Sequence, residues 1–565
     1  MTSNDNQKEE LQEKLFEIKR KEEEKKTEFL AEKFKLPYLD LNILPVDTDD
    51  LSILPKETAR KGELATLKKT GRSLYLGIKN PESKETKQII EDLKKQGYEL
   101  KIFVVSPSAL EKVWNKYESI TSKAVSIRGV FDLQENELKE FEKSLSTIQG
   151  LKEAIVDLPT TKLLAVIIAG AIKTNASDIH FEPTRDNLRL RYRVDGILQD
   201  VAEFSQKQYF FILLRIKTLS DMLLNVSDIS QDGRFTIKIS GEEKRMIDVR
   251  VSALPGNYGE NIVMRLLGTS ATNLNLDELG MEPGIFETIK AQIDQPNGMI
   301  LSTGPTGSGK TTTLYACLNY VNKPGTKIIT VEDPIEYQLK GITQTQIEKK
   351  KRYTFAKALR SIVRQDPDIL MVGEIRDEDS AKIAVQFSLT GHLVFSTLHT
   401  NDAVGAVPRL VGMEVEPSSL SSSLKIVIAQ RLIRRLCPAC KKESSPSKEI
   451  LDSVKKIIAS IPKNSGIKLP DKISFFEGKG CPKCHGLGYQ GRIGIFEIMA
   501  VDKEVEELIL NKATSYQLFE KATANGMVTL AQGAVVKAAR GITSLEEAER
   551  IVGSLKIAAE KNKGL

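Results

Sequence analysis

The sequence has few of the features that would direct a protein to a membrane, an export pathway or a nucleic acid. Its start, MTSNDNQKEE, has no basic segment followed by an apolar core, so we predict no secretion signal. The longest apolar run, near residues 163–172, is about half the length that a bilayer span needs. Net charge is only +6, from 82 basic and 76 acidic residues, which gives no case for a dedicated nucleic-acid binder. We therefore expect a cytoplasmic protein.

Cysteine is also scarce, and four of the five cysteines form two CxxC pairs. CPAC holds Cys437 and Cys440, and CPKC holds Cys481 and Cys484. Each pair presents two thiolates on one side of a tight turn, and together they complete a tetrahedral shell for Zn²⁺. The alternative, a pair of redox disulfides, fits a cytosolic protein poorly. We predict a structural zinc site with no open position for catalysis.

The chain of 565 residues is too long for one core and suggests about three to five domains. Alternating and helical patterns predict an α/β protein. The charged leader is either a solvated helix or a docking helix for a partner. The boundaries that we predict are a charged helical leader (1–35), a small α/β domain (36–118), a helical linker (119–155), a second, α+β domain (156–268), a nucleotide-binding domain (269–435), a four-cysteine insert (436–497) and a helical tail (498–565).

The segment GMILSTGPTGSGKTTTLYACL reads as an apolar strand, a glycine-rich loop and a helix, and its loop fits GxxxxGK[ST]. Such a loop turns backbone N–H groups towards phosphates, and the helix N-terminus adds partial positive charge. Lys310 is placed to reach the β- and γ-phosphates and Thr311 to ligate Mg²⁺. The candidate nucleotide-binding residues are Gly304, Pro305, Thr306, Gly307, Ser308, Gly309, Lys310, Thr311 and Thr312.

Two further apolar strands end in carboxylates. IITVEDPIEYQ contains Glu332, Asp333 and Glu336, and DPDILMVGEIRDEDS leads to Gly373 and Glu374. The ends of parallel strands beside a P-loop are where a sheet collects its catalytic groups. A Walker B strand usually ends in Asp, so here the metal shell and the water-activating base must be shared between Glu374 and the earlier cluster. The alternative is that these acids are only solvated strand ends.

In this order, GPTGSGKTTT, TVEDPIE, DPDILMVGEIRD and TGHLVFSTLHT resemble the P-loop, Asp box, Walker B motif and His box of secretion-superfamily ATPases. The resemblance implies a RecA-like core preceded by a PAS-like α+β domain. It also implies that Glu336 is the catalytic glutamate, that Glu374 is the Walker B glutamate, and that His392 and His399 contact the γ-phosphate or its neighbours. For both His392 and His399, a satisfied core histidine is the alternative.

The segments SDIHFEP, LRLRYRVDG, QDGRF and IDVRVSALPGNYGE resemble the second N-terminal domain of the same family. This resemblance implies that Arg234 and Arg250 reach a nucleotide across a subunit contact, as arginines do at other phosphoryl-transfer sites. Any of them is alternatively a surface strand arginine. Weaker candidates are Arg191, Arg193 and Arg265.

The four-cysteine insert and the tail resemble the type II secretion and type IV pilus assembly branch of these ATPases. The resemblance implies a homo-hexamer with ATP, Mg²⁺ and Zn²⁺ as cofactors, peripheral at the inner face of the cytoplasmic membrane. The partner is an inner-membrane platform protein, with a cytoplasmic adaptor as a candidate at the N-terminal domain, and no direct nucleic acid is expected. The alternatives are a RecA-like nucleic-acid translocase or DNA-uptake motor, and a nucleotide-gated docking protein without turnover.

Overall fold

The computed structural model describes residues 22–41, 48–51, 53–70, 73–95, 97–115, 117, 129–134, 160–240, 245–267, 275–347 and 353–561. The chain forms two compact units, Met1–Val130 and Phe131–Leu565. Within the described residues, none of the helices has the length and apolar character needed to cross a bilayer. The helices, in chain order, are α1 (22–34), α2 (Thr48–Leu51), α3 (Lys56–Lys61), α4 (Lys84–Lys95), α5 (Pro107–Asn115), α6 (Thr160–Lys173), α7 (Gln206–Leu219), α8 (Pro283–Ile293), α9 (Lys310–Val321), α10 (Phe355–Ile362), α11 (Glu378–Leu389), α12 (Ala406–Val411), α13 (Pro417–Ser423), α14 (Lys448–Ala459), α15 (Lys503–Leu510), α16 (Ser515–Ala524), α17 (Leu530–Ala539), α18 (Leu545–Val552) and α19 (Leu555–Lys561).

The first unit contains a three-stranded sheet in the order β1-β2-β3, formed by β1 (Leu64–Thr70), β2 (Ser73–Ile78) and β3 (Glu99–Val104). Strands β2 and β3 are parallel because α4 makes the crossover between them. The α/β character predicted for this part of the chain is therefore confirmed.

The described part of the charged leader, α1, packs on this same unit. The Glu24 carboxylate accepts hydrogen bonds from Tyr38 Oη at 2.6 Å and from Ser106 Oγ at 2.8 Å. Glu23 accepts the backbone N–H of Ser108 in the first turn of α5. The leader is thus not only solvated over these residues, and residues 1–21 lie outside the described part.

The second unit begins with a seven-stranded sheet in the order β4-β8-β9-β10-β5-β6-β7, here called the first sheet. Its core lies between one sheet face and the helices α6 and α7. The prediction of a helical linker over 119–155 is wrong at residues 130–134, which form an edge strand, and most of the remaining linker lies outside the described residues. The apolar alternation of VFDL suits an edge strand. The strands are β4 (Val130–Gln134), β5 (Ala176–Pro183), β6 (Asn187–Val194), β7 (Ile197–Ser205), β8 (Gln231–Ser240), β9 (Arg245–Leu254) and β10 (Asn261–Leu267).

A second seven-stranded sheet, here called the P-loop sheet, has the order β13-β12-β14-β15-β11-β16-β19. Its strands are parallel except β19, which is antiparallel to β16. Both faces are covered, as parallel sheets require, with Met299 and Leu301 in one core and Ile300 in the other. The strands are β11 (Gly298–Thr303), β12 (Ile328–Glu332), β13 (Thr343–Gln346), β14 (Ile369–Val372), β15 (Leu393–Leu398), β16 (Leu424–Leu436) and β19 (Tyr489–Ala500).

The four cysteines lie on an excursion between β16 and β19. This excursion, residues 437–488, carries α14 and a two-stranded sheet of β17 (Lys441–Ser444) and β18 (Phe475–Gly478). Residues 489–497, which the sequence assigned to the insert, hydrogen-bond to β16 and therefore belong to the P-loop sheet. Helices α15 to α19 form the predicted helical tail, and α17 packs on β16 and β19.

Candidate functional site

The glycine-rich loop joins the fully buried strand β11 to α9 at one edge of the P-loop sheet. Gly304 and Gly309 have φ values of 147° and 93°, which only glycine adopts readily, and a Cβ on Gly304 would lie 2.6 Å from the Gln430 carbonyl oxygen. Lys310 Nζ donates to the carbonyl oxygens of Gly304 at 2.7 Å and Pro305 at 3.0 Å. The loop therefore closes around its own lysine.

The charges around Lys310 suit an anionic ligand. Burial, opposed by Glu374 and reinforced by Arg431, lowers the pKa of Lys310 to about 8. A bound triphosphate would reverse this shift because it adds negative charge beside the ammonium group. Among the described residues, the buried Ser308 Oγ in the same loop has no hydrogen-bond partner. The loop thus holds both a buried cation and an unused hydroxyl where phosphates are expected.

Glu374, at the end of β14, lies at this same edge, and its side chain is 13% exposed. Its carboxylate accepts a hydrogen bond from Arg376, and its Oε2 lies 3.7 Å from His399 Nε2. Burial and the nearby Lys310 lower the pKa of His399, and Glu374 partly offsets this effect. The structure therefore brings Lys310, Glu374 and His399 together.

Two carboxylates of the Asp box, Glu332 and Glu336, have different surroundings. Both oxygens of the buried Glu332 are occupied: one by Tyr315 Oη on α9, and the other by Thr330 Oγ1 at 2.5 Å and Gln344 Nε2 at 3.2 Å. Burial raises the pKa of Glu332, and these hydrogen bonds oppose the rise. Glu332 is thus an anchor between α9 and β12, whereas the side chain of Glu336 is 38% exposed and accessible to a substrate.

The predicted arginines lie in one row across the first sheet. Strand register pairs Arg234 with Arg250 and Arg250 with Arg265, so the three side chains share a face. Arg250 also contacts the Asp box of its own chain: Nη2 donates to Ile335 O at 2.5 Å, and Nη1 lies 3.5 Å from Glu336 Oε2. Arg234 is exposed to solvent. Contact of either arginine with a nucleotide on another subunit stays a prediction.

His392 lies at the wrong edge of the sheet for the role that the resemblance implied. It precedes β15, whereas His399 follows it, and a strand of this length spans about 20 Å. The His392 ring packs 4.4 Å from the Phe387 ring, and its Nδ1 lies 3.1 Å from Phe387 O. The structure therefore corrects this expectation: His392 is a core-edge histidine, and His399 is the one beside Glu374.

The edge also offers the oxygen donors that Mg²⁺ prefers. Thr311 lies in the first turn of α9, half-buried, and Glu374 ends the strand two places along the sheet. These residues fit the ion that a P-loop site uses, and Mg²⁺ when bound neutralises charge on the β- and γ-phosphate oxygens.

The four cysteine sulfurs converge within 4.8 Å of one another. Neighbouring Sγ atoms lie 3.9 Å apart for Cys437 and Cys481, and 3.8 Å apart for Cys440 and Cys484. These separations are far too long for disulfides but match the ~3.8 Å edge of a tetrahedron with Zn–S bonds of ~2.3 Å. The backbone N–H groups of Cys481 and Gly488 point at Cys484 Sγ, each at 3.2 Å, which suits a thiolate. The cluster could therefore hold zinc.

Comparison with known proteins agrees with this geometry. The family described as "Type II/IV secretion system protein" matches residues 153–550, and the "MshEN domain" matches residues 34–124. The chain belongs to the type II/IV secretion ATPase family. It is 39% identical to the type IV pilus assembly ATPase PilB of Myxococcus xanthus over 93% of this chain and 90% of that protein. It is 41% identical to the type II secretion system ATPase E of Vibrio cholerae over 83% and 89%.

The fold is shared more widely. The Legionella pneumophila ATPase DotB superposes with a TM-score of 0.51 at 20% identity, covering 70% of this chain and 97% of that one. The predicted fold class is therefore confirmed, and the chain is an ATPase of the secretion family.

Sequence reasoning missed several polar contacts that hold this secretion ATPase site in place. Thr303 Oγ1 lies 2.7 Å from Thr400 Oγ1, which fixes the loop after His399 to the P-loop strand. Arg431 Nη2 donates to Asn401 O in the same loop at 2.9 Å. The available signal was a polar residue inside an apolar strand, as in VIAQRLI and GIFEIM, because a buried polar group needs a partner.

Proposed function

We propose that the protein is a cytoplasmic hexameric motor that hydrolyses MgATP and drives assembly of a pilus or pseudopilus through an inner-membrane platform protein. The observation that carries this proposal is the contact of Arg250 with Ile335 O and Glu336. Through this contact, the first sheet, which has no P-loop, lies against the catalytic edge, the edge of the P-loop sheet that carries Lys310, Glu374 and His399. A change of charge at the nucleotide therefore acts directly on the neighbouring sheet, which is what a motor requires.

In this proposal, the residues of the edge have separate roles. The P-loop and Lys310 hold the triphosphate, and Glu336 accepts a proton from the attacking water. Glu374 orients His399 and, with Thr311, would hold the Mg²⁺ that offsets the phosphate charge. Since its pKa is lowered, His399 is neutral near pH 7 and donates one N–H to a phosphate oxygen. That contact changes when the γ-phosphate leaves.

Two features support filament assembly as the work performed. Relatives that match most of the chain are named for type IV pilus assembly and for type II secretion. The tail helix α17 packs on β16 and β19 of the P-loop sheet, and the four-cysteine excursion connects these two neighbouring strands. Zinc held by the four cysteines is proposed as a structural part of the motor.

Genetic complementation tests the filament role. A strain lacking the gene is complemented with the wild-type protein or with Glu374→Gln, and surface filaments and secreted proteins are measured. We expect the wild type to restore one of the two and Glu374→Gln, at equal abundance, to restore neither. Full restoration by Glu374→Gln would contradict the proposal.

A biochemical assay tests the partner and the assembly state. We expect the cytoplasmic part of the platform protein, and not single-stranded DNA, to stimulate ATP hydrolysis. Mass photometry with Mg²⁺ and a non-hydrolysable ATP analogue is expected to show hexamers. Stimulation by DNA alone would favour a nucleic-acid translocase, and full turnover by a monomer would exclude the ring mechanism.

A further inference from the structure

Glu497 is a carboxylate buried inside the P-loop sheet and outside the site described above. It lies in the apolar segment GIFEIM of β19, and only 4% of its surface is exposed. No cation forms an ion pair with it within 4 Å in the described part of the chain, so its carboxylate relies on backbone hydrogen bonds. A buried charge without such a partner is costly and needs a reason.

One oxygen of Glu497 holds the loop that follows β15. Its Oε1 accepts the backbone N–H of Ala403 at 2.9 Å. The loop carries His399 four residues earlier, and it is further fixed by Thr400 on Thr303 and by Asn401 O on Arg431. The carboxylate is therefore one of three anchors that set the position of His399 beside Glu374.

The other oxygen holds the first turn of α17. Its Oε2 accepts the backbone N–H of Leu530 at 3.2 Å, where the positive end of the helix dipole favours an anion. Further along the same helix, Lys537 Nζ donates to Gly280 O at 2.8 Å, and Arg540 binds the Glu282 carboxylate at 2.8 Å. Residues 275–282 enter the P-loop domain from the first sheet, so α17 contacts both the His399 loop and this connection.

We infer that Glu497 is a positioning residue for ATP hydrolysis: its ionised carboxylate joins the loop of His399 to the first turn of α17 and thereby holds the imidazole at the catalytic edge. It touches neither nucleotide nor metal. The inference concerns ATP turnover itself and stands independently of what the motor assembles.

The ionised form is the one that can make both contacts. A carboxylate accepts two N–H bonds at once, whereas a protonated carboxyl or an amide turns one of these positions into a donor. Two charged groups face Glu497 from the elements packed on it: Asp402 of the loop opposes ionisation, and Arg431 of β16 favours it. Burial, reinforced by Asp402 and opposed by Arg431 and the two backbone hydrogen bonds, raises the pKa of Glu497 to about 7. The link that Glu497 makes between the His399 loop and α17 is thus expected to weaken as the pH falls through 7.

The variant Glu497→Gln tests the inference, with Glu547→Gln as the matched control. Glu547 is also fully buried and also fixes tail helices, but its partners are Arg434 and Arg550 and not the loop. At pH 8 we expect Glu497→Gln to lower kcat about fivefold or more and to leave KM within about twofold, because loop position affects the transition state more than binding. Glu547→Gln is expected to keep kcat within about twofold.

The pH profile separates positioning from general destabilisation. Wild-type kcat is expected to rise between pH 6 and 8, and Glu497→Gln is expected to lack that component. The wild-type and Glu497→Gln profiles both contain the titrations of His399 and Lys310. The ratio of the two kcat values at each pH therefore reports the titration of Glu497. Unchanged kcat and an unchanged profile in Glu497→Gln, or an equal loss in Glu547→Gln, would overturn the inference.

Hydrogen exchange of the wild-type protein tests the role of Glu497 even if Glu497→Gln fails to fold. After correction for intrinsic exchange rates, peptides covering Ala403 and Leu530 are expected to lose protection together between pH 8 and pH 6. A peptide covering α11, which has no contact with Glu497, serves as the control. Constant protection at Ala403 and Leu530 across this range would overturn the inference.

Discussion

The two seven-stranded sheets carry their charged groups in different places. The first sheet spreads them over one face, where Asp178 binds Arg265 at 2.8 Å and Arg193 at 3.4 Å across neighbouring strands. The P-loop sheet collects them beyond its strand ends, where Lys310 and Glu374 meet. A face distributes groups along whole strands, whereas an edge of parallel strands concentrates them at one point. The contrast indicates that catalysis takes place at the strand ends of the P-loop sheet. The face of the first sheet instead supplies charged side chains to a surface that packs against it.

The largest expected effect removes the negative charge of Glu374. We expect Glu374→Gln to lower kcat by about 10²-fold or more while ATP still binds, because the amide carries no charge near the metal site and pairs more weakly with His399. Steady-state hydrolysis and nucleotide binding measure the two quantities.

The matched control for that variant is Glu332→Gln on the adjacent strand. Since both oxygens of Glu332 are occupied by Tyr315, Thr330 and Gln344, we expect a lower Tm with most of the turnover retained. If Glu332→Gln lowered kcat as strongly as Glu374→Gln, the distinction between an anchoring and a catalytic carboxylate would be incorrect.

The next largest effect tests whether the arginines on the face of the first sheet act on the nucleotide site of their own chain or on that of a neighbouring subunit. We expect Arg250→Ala to lower kcat about 10- to 100-fold, since its guanidinium lies beside Glu336 of its own chain. Hydrolysis is then measured for mixtures of each arginine variant with inactive Lys310→Ala subunits.

In these mixtures, we expect Arg234→Ala to regain activity, because an intact Arg234 of the Lys310→Ala subunit can serve a neighbouring site. Arg250→Ala is expected to regain none. Recovery by Arg250→Ala would show that the contact made within the chain is not the one that matters in the ring.

A smaller effect follows from the pKa of Lys310, which is lowered to about 8. Phosphates bind the ammonium form, so MgATP affinity is fully present below pH 8 and is lost as the pH rises through this value. A single linked proton limits the loss to about tenfold per pH unit. Calorimetry at pH 9 in buffers of different ionisation enthalpy is expected to show proton uptake on binding, whereas equal heats in all buffers would contradict the lowered pKa.

The smallest effect on turnover is expected from loss of metal at the four cysteines. Strand β19, which follows their excursion, contacts the first sheet, since Gly491 N donates to Asp195 Oδ2 at 2.8 Å. We expect Cys484→Ser to abolish zinc binding, to raise hydrogen exchange over residues 437–488 and to change kcat less than about threefold, because zinc binding energy is local folding energy. Cys317→Ala, in the helix after the P-loop, controls for loss of a buried thiol and should retain zinc.

The sequence predicted those parts of the site whose spacing is set by the ligand. The P-loop, Glu374 and the four cysteines have fixed spacing because phosphate, metal and tetrahedral geometry require it. Residue spacing alone does not separate Glu332 from Glu336, which only the family resemblance distinguishes, because their difference arises from Tyr315 and Gln344, which reach the strand in the folded sheet. The resemblance also implies that His392 lies at the site, with a core histidine as the alternative, and the strand between the two histidines puts His392 at the opposite edge.

The pairing of β16 with β19 also bears on how such a chain can change over evolution. Leu436 and Tyr489 face each other in register, so the two strands already meet where the cysteine-bearing segment leaves and returns. A turn of about two residues would suffice to close this hairpin. A single insertion or deletion could therefore add or remove the excursion, residues 437–488, and leave the P-loop sheet intact.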